Sequence, residues 1–136
     1  MRSRSIQVKR EKAILIVESG NNSEIIALSS EVFTIGRHSQ CSFVLDDKMV
    51  SRHHATIAFV ENRDNSQHNG YWIIDGQGRN KRSTNGIFIN GTKKLQHQLG
   101  YGDIITFGSD TQIIYSCIAD TSENIQIDNV ILSTTW

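Results

Sequence analysis

Three short stretches of the chain carry side chains suited to holding a phosphate group: Ile35-Gly36-Arg37-His38-Ser39, Met49-Val50-Ser51-Arg52-His53-His54, and Arg79-Asn80-Lys81-Arg82-Ser83-Thr84-Asn85-Gly86. Each combines a guanidinium with hydroxyl or amide groups. A guanidinium offers a planar fork of N–H donors matched to two phosphate oxygens, and Ser, Thr and backbone N–H groups complete the shell. A single exposed Arg is ordinarily a solvated surface charge, so the weight lies on the three stretches occurring together.

Two other chemistries can be written on the same residues. Ser51 as nucleophile, with His53 or His54 as base and Asp75 as orienter, would make a hydrolase-like set. No Gly-x-Ser-x-Gly elbow accompanies it, and a serine and a histidine three residues apart define no triad by spacing. His38, Cys41, His53 and His54 are metal-ligating types, but neither Cys-x-x-Cys nor His-x-x-x-His spacing is present. The expectation is a protein that is not an enzyme, with no catalytic residue, metal or cofactor.

Loops of this kind need a rigid frame to display them. From Ala13 onward the chain reads AILIVE, EIIALS, VFTIG, CSFVL, HATIAFV, YWIID, GIFIN, DIITFG and TQIIYSCIA, all rich in β-branched and aromatic residues. Such runs predict strands. In one of them Ala55, Ile57 and Phe59 share a face while Thr56 and Ala58 share the other, as a half-buried strand requires. No stretch has helical periodicity. Turn residues punctuate the runs, and Asn90-Gly91, which supplies the positive φ angles of a tight turn, predicts a hairpin. Many short strands with regular turns indicate an all-β sandwich or barrel.

With 136 residues, 14 Lys+Arg against 14 Asp+Glu and 38% hydrophobic content, the chain fits one domain with one core, and its balance is not that of a disordered chain. Its apolar runs are too short for a membrane-spanning helix and its N-terminus lacks a secretory core, so a cytoplasmic location is expected. Cys41 and Cys117 are expected to be free thiols packed in the fold. Residues 1–12, with Arg2, Arg4, Lys9, Arg10 and Lys12, read as a basic arm; residues 119–136 read as an acidic tail or one further strand. The arm and the Arg79–Arg82 loop raise nucleic-acid backbone binding as the alternative function. Zero net charge and 7% aromatic content without aromatic–basic interleaving argue against it.

The text IGRHSQCSFVLDDKMVSRHHATI, followed by STNGIFING and LGYGDIITFG, resembles a forkhead-associated (FHA) domain, with its Gly-Arg, Ser-x-x-His and two Asn-Gly pairs in order. The likeness covers residues 13–118. It implies an eleven-stranded β-sandwich of two antiparallel sheets whose loops at one end bind a phosphothreonine-containing protein. The module would serve signal transduction by a Ser/Thr protein kinase or its substrates. Residue by residue, it implies that Arg37 and Ser51 bind the phosphate, Arg52 stands beside it, Thr84 adds a hydroxyl and Asn85 bonds the main chain of the bound peptide. A small apolar niche for the threonine methyl would exclude phosphoserine. Gly36, His54, Gly86, Asn90 and Gly91 would be architectural, with His54 bracing the loop that presents Ser51.

Two positions depart from, or refine, that pattern. Gly76 to Arg82 is longer than the family's usual connection, similar to a variant in bacterial and particularly cyanobacterial members, and its Arg79, Lys81 and Arg82 could form a cationic rim. Met49 stands where the family often reads the third residue after the phosphothreonine. A thioether there implies an apolar preference, unless Lys48 or the rim selects an acid instead.

Overall fold

The computed structural model describes residues 10–61 and 70–120. Eleven strands lie among them: β1 (Arg10–Ser19), β2 (Asn22–Ala27), β3 (Val32–Gly36), β4 (Phe43–Val44), β5 (Ala55–Val60), β6 (Gly70–Asp75), β7 (Ile87–Ile89), β8 (Thr92–Lys94), β9 (Gln96–Gln98), β10 (Ile104–Thr106) and β11 (Gln112–Asp120). They form a six-stranded sheet ordered β2-β1-β11-β10-β7-β8 and a five-stranded sheet ordered β4-β3-β5-β6-β9. The expected sandwich of two sheets is therefore present, built from every predicted run. Two strands, β8 and β9, come from the polar texts TKK and QHQ, which carry no apolar alternation. They are drawn into the sheets as short edge strands by pairing with β7 and β6.

One pair departs from the antiparallel expectation: β3 and β4 run parallel, Ile35 opposite Phe43 and Gly36 opposite Val44. A parallel neighbour requires the chain to return before pairing, and residues 37–42 make that return. Reciprocal side-chain bonds fasten it, Thr34 N–H donating to Ser42 Oγ and Ser42 N–H to Thr34 Oγ1, both at 2.9 Å. The excursion carries Arg37, His38 and Ser39 out to one end of the sandwich.

Side chains from both sheets interdigitate in one core: Leu15, Ile35, Ile57, Ile73, Ile87 and Ile105 are all completely inaccessible to solvent. Burying aliphatic side chains of this size stabilises by roughly 1.5–3 kcal/mol each. Along β5 the predicted alternation holds for Ala55 and Ile57, whereas Phe59 is 42% exposed because the strand end leaves the core there. Its ring instead meets Tyr71 edge-on at 5.3 Å. Cys41 is buried and Cys117 half-buried, both free.

The first strand begins at Arg10 and pairs with β11 as far as Asp120, so the sheet takes in Arg10, Glu11 and Lys12 of the expected arm and Ala119–Asp120 of the expected tail. Residues 1–9 and 121–136, with the possible extra strand in IQIDNVIL, lie outside the described residues. The Asn90-Gly91 hairpin joins β7 to β8, with φ of 53° and 87° at the two residues. Asn90 also clamps the neighbouring strand: its Nδ2–H donates to Asp103 Oδ1 and its Oδ1 accepts from Ile104 N–H, each at 2.9 Å. Burial of Asp103 works to raise its pKa, but hydrogen bonds from Gly100 N–H, Asn90 and His97 outweigh it and hold the carboxyl below the ordinary value.

Candidate functional site

In the five-stranded sheet Ile35, Ala55 and Asp75 stand in register. The residues one step beyond them, Gly36, His54 and Gly76, therefore form a common rim from which three loops depart. His54 N–H donates to Ile35 O at 2.9 Å and Gly76 N–H to His54 O at 2.7 Å. Gly36 is a packing requirement: a Cβ there would stand 2.1 Å from the Arg52 carbonyl oxygen. Only a glycine lets the Arg37 loop and the Ser51–Arg52 loop lie this close.

His54 holds the loops from beneath. It is wholly buried and stacks on Phe107 with ring centroids 4.4 Å apart. Its Nδ1 accepts from Ser51 N–H at 2.9 Å, so the proton sits on Nε2, which donates to Gly86 O at 2.8 Å. Desolvation lowers its pKa, against opposing contributions from the Gly86 carbonyl and the Asp75 charge, and keeps the ring neutral. A neutral ring is what this double bond demands, because a protonated Nδ1 could not accept from Ser51.

Above His54, the Met49–Ser51 segment is the meeting point of the other loops. Arg37 N–H donates to Ser51 O at 3.0 Å and Arg37 Nε–H to Val50 O at 2.6 Å. Thr84 N–H donates to Ser51 Oγ at 2.9 Å, and Asn85 Nδ2–H to Met49 O at 2.8 Å. Arg37, Ser51, Thr84 and Asn85 are thus brought together by direct bonds. Among the described residues the bonds also leave groups over: the outer nitrogens of the Arg37 fork, the Ser51 hydroxyl proton, the Thr84 hydroxyl, and the second N–H and the oxygen of Asn85. Arg52 is exposed, its carbonyl held by His38 N–H at 3.1 Å and by the Cys41 thiol at 3.3 Å. Gly86, at φ 86°, turns the chain into β7.

The hydrolase-like set is not assembled. His54 meets the backbone of Ser51 rather than its hydroxyl, and Asp75 bonds Ser83 rather than a histidine. His38 and His53 stack at 5.0 Å. Among the described residues no three His, Cys, Asp or Glu side chains are grouped to hold a metal ion.

The fold, the two Asn-Gly turns and this loop cluster coincide with a known family. Its model, the FHA domain, matches residues 33–108, from β3 through β10. The chain belongs to the FHA family. It is 37% identical over 106 residues to the protein sll1895 of Synechocystis sp., covering 76% of this chain and 15% of that relative, so it spans a small part of the relative's length. Among solved structures, the Slr1951 protein from Synechocystis sp. is 31% identical with a TM-score of 0.66, over 76% of this chain and 96% of that one. An FHA domain studied for phosphothreonine-dependent interactions is 27% identical with a TM-score of 0.61, over 77% and 95%.

Two further residues hold up this FHA loop cluster in roles not read from sequence, where Asp75 stood only as the orienter of the hydrolase-like set and Ser83 only within the third stretch. Asp75 is 2% exposed, and its Oδ1 accepts from both Ser83 Oγ–H at 2.5 Å and Ser83 N–H at 3.1 Å. Ser83 Oγ in turn accepts from Gly86 N–H at 2.9 Å. A buried carboxylate is costly unless hydrogen-bonded, so Asp75 fixes Ser83, and Ser83 shapes the turn that displays Thr84 and Asn85. The signal available in sequence was an acid ending an otherwise apolar strand, YWIID. A cavity of about 560 Å³ lies at the opposite end of the sandwich, among Lys12, Leu28, Phe59, Tyr71, Tyr101 and Tyr115. Burial there pushes the Tyr115 phenol up to about 12.

Proposed function

We propose that this FHA domain binds phosphothreonine-containing segments of partner proteins, and acts by recognition rather than by chemistry on them. The observation that carries the reading is the convergence on Met49–Val50–Ser51. There the Arg37 fork, the Ser51 hydroxyl, the Thr84 hydroxyl and the Asn85 amide are fixed by bonds to one another's loops while keeping free hydrogen-bonding groups. Charge-assisted bonds from a pre-oriented guanidinium to a dianionic phosphate are the strong kind. Arg37 and Ser51 take the phosphate, Arg52 stands beside it, Thr84 adds a hydroxyl and Asn85 reads the peptide main chain. Similarity to an FHA domain with phosphothreonine-dependent interactions supports the same ligand.

Phosphothreonine in proteins is the product of Ser/Thr kinases, so the partner is a kinase of that class or one of its substrates. Met49 is 47% exposed beside the site, with its carbonyl committed to Asn85, which supports an apolar preference for a ligand residue reaching its thioether. The test is titration of phosphothreonine, phosphoserine and unphosphorylated versions of one peptide into the parent chain and Arg37→Ala. Binding of the phosphothreonine form by the parent, lost in the variant, is expected. Equal binding by a natively folded Arg37→Ala would remove the site assignment.

A further inference from the structure

Residues 76–82, which lead from β6 to Ser83, form a closed loop with its own hydrogen bonds. Gly76 O accepts from Thr56 Oγ1–H at 2.8 Å, Gln77 N–H donates to Lys81 O at 2.9 Å and Lys81 N–H to Gly78 O at 3.1 Å. Gly76 has φ +64°, and a Cβ there would stand 2.0 Å from Lys81 O, so the loop closes as tightly as glycine permits. From this frame Arg79, Lys81 and Arg82 all project into solvent. Among the described residues none of their side chains is hydrogen-bonded or ion-paired.

Three cations held within four residues repel one another, and a closed backbone limits how far they can separate. An arrangement of that kind is relieved by an external anion and gains affinity from being pre-ordered. Its location is equally specific. The root of the loop is bonded to His54, the brace of the Ser51 loop, and Arg82 lies two residues before Thr84, whose N–H holds Ser51 Oγ. The cations therefore extend the same rim that carries Arg37 and Arg52.

We propose that the Arg79–Lys81–Arg82 loop is a second anion subsite, which takes a further phosphate or clustered carboxylates on the peptide whose phosphothreonine occupies the Arg37–Ser51 site. This rests on the phosphothreonine reading and names the class of ligand that it favours: a multiply anionic segment. Guanidinium groups suit both phosphate and carboxylate, so the two sources are separated by experiment. Exposed ion pairs are individually weak, and two or three acting together amount to a preference of about tenfold over a neutral flank, falling as salt is raised.

The experiment measures affinities of the full chain for peptides that share one phosphothreonine core. The flanks are neutral, or carry an Asp/Glu cluster or a second phosphothreonine moved stepwise along the peptide; duplex DNA of random sequence is the comparison. The parent, Arg79→Gln alone, the triple variant Arg79→Gln/Lys81→Gln/Arg82→Gln, and Arg37→Ala are compared. At one or more positions the added anion is expected to tighten parent binding about tenfold, with the ratio to the neutral peptide reduced in Arg79→Gln and near one in the triple variant. Gain from the second phosphate alone identifies phosphate as the source; gain from both identifies general acidity.

An unchanged ratio in the triple variant, or no ratio in the parent, overturns the subsite while leaving the phosphothreonine site standing. Failure of the parent to bind the neutral phosphopeptide, or undiminished binding by Arg37→Ala, overturns the underlying reading. Tighter binding of duplex DNA than of any anionic peptide overturns the proposal in favour of a nucleic-acid ligand.

Discussion

Arg37 commits one N–H to the protein itself, donating from Nε to Val50 O at 2.6 Å. This aims the fork before any ligand arrives. Truncation to Ala removes a charge-assisted contact whose loss typically costs roughly 2–5 kcal/mol, so Arg37→Ala is expected to weaken phosphopeptide binding about 30-fold or more in a calorimetric titration. Circular dichroism should remain native, because the Arg37 side chain is on the surface. His54 is the contrasting case. Its removal strands Ser51 N–H and Gly86 C=O and empties the space against Phe107, and unsatisfied buried groups cost about 1–3 kcal/mol each. His54→Ala should therefore lower the melting temperature by on the order of 10 °C or more and weaken binding together. Lost binding at unchanged melting temperature would place His54 on the ligand instead. The same residue sets a pH dependence. Its folded pKa lies below its ordinary 6.5, so the unfolded chain takes up the proton first. Its contribution to stability is full above about 6.5 and declines as pH falls from there toward the folded value. Denaturant midpoints between pH 7.5 and 5 should fall in the parent, and fall less in His54→Ala.

At the scale of elements, the strands were legible because their apolar runs are bounded by turn residues, and Asn90-Gly91 announced its hairpin by residue type. The edge strands β8 and β9 were not legible: TKK and QHQ are paired because neighbouring strands offer them unfilled backbone groups, a tertiary cause that leaves no pattern in the text. The parallel β3/β4 pair was hidden for the same reason, since its fastening is backbone pairing, Leu45 N–H donating to Gly36 O, and the reciprocal Ser42 and Thr34 bonds, none of which leaves a pattern in the text. Of the site, the residues that fit the family pattern were visible. The supporting roles of Asp75 and Ser83 were not, because the sequence does not say which side chain a buried acid meets until its partner, eight residues away, is known. Gly36 shows how closely the elements approach. An added Cβ would need the Arg52 carbonyl to retreat, and overpacking of this kind costs typically about 1–3 kcal/mol. Gly36→Ala is expected to lower both the melting temperature and phosphopeptide affinity. A variant with unchanged stability would show that the two loops can part freely.

For the whole molecule, a net charge of zero conceals an uneven distribution. The three site loops carry Arg37, Lys48, Arg52, Arg79, Lys81 and Arg82 against Asp46, Asp47 and the buried Asp75. Such a surface attracts anions without making the chain basic, so long-range affinity for a polyanion should be modest and sensitive to salt. Among the described residues no helix is long and apolar enough to cross a membrane. The two-sheet frame serves to hold one rim in place, and what that rim recognises is the central question. It is tested most directly by binding to a degenerate peptide library in three matched forms: phosphothreonine, phosphoserine and unphosphorylated. The account predicts selective retention of phosphothreonine peptides at micromolar strength, weak retention of phosphoserine and none without phosphate. Retention independent of phosphate, or equal for phosphoserine and phosphothreonine, would contradict it.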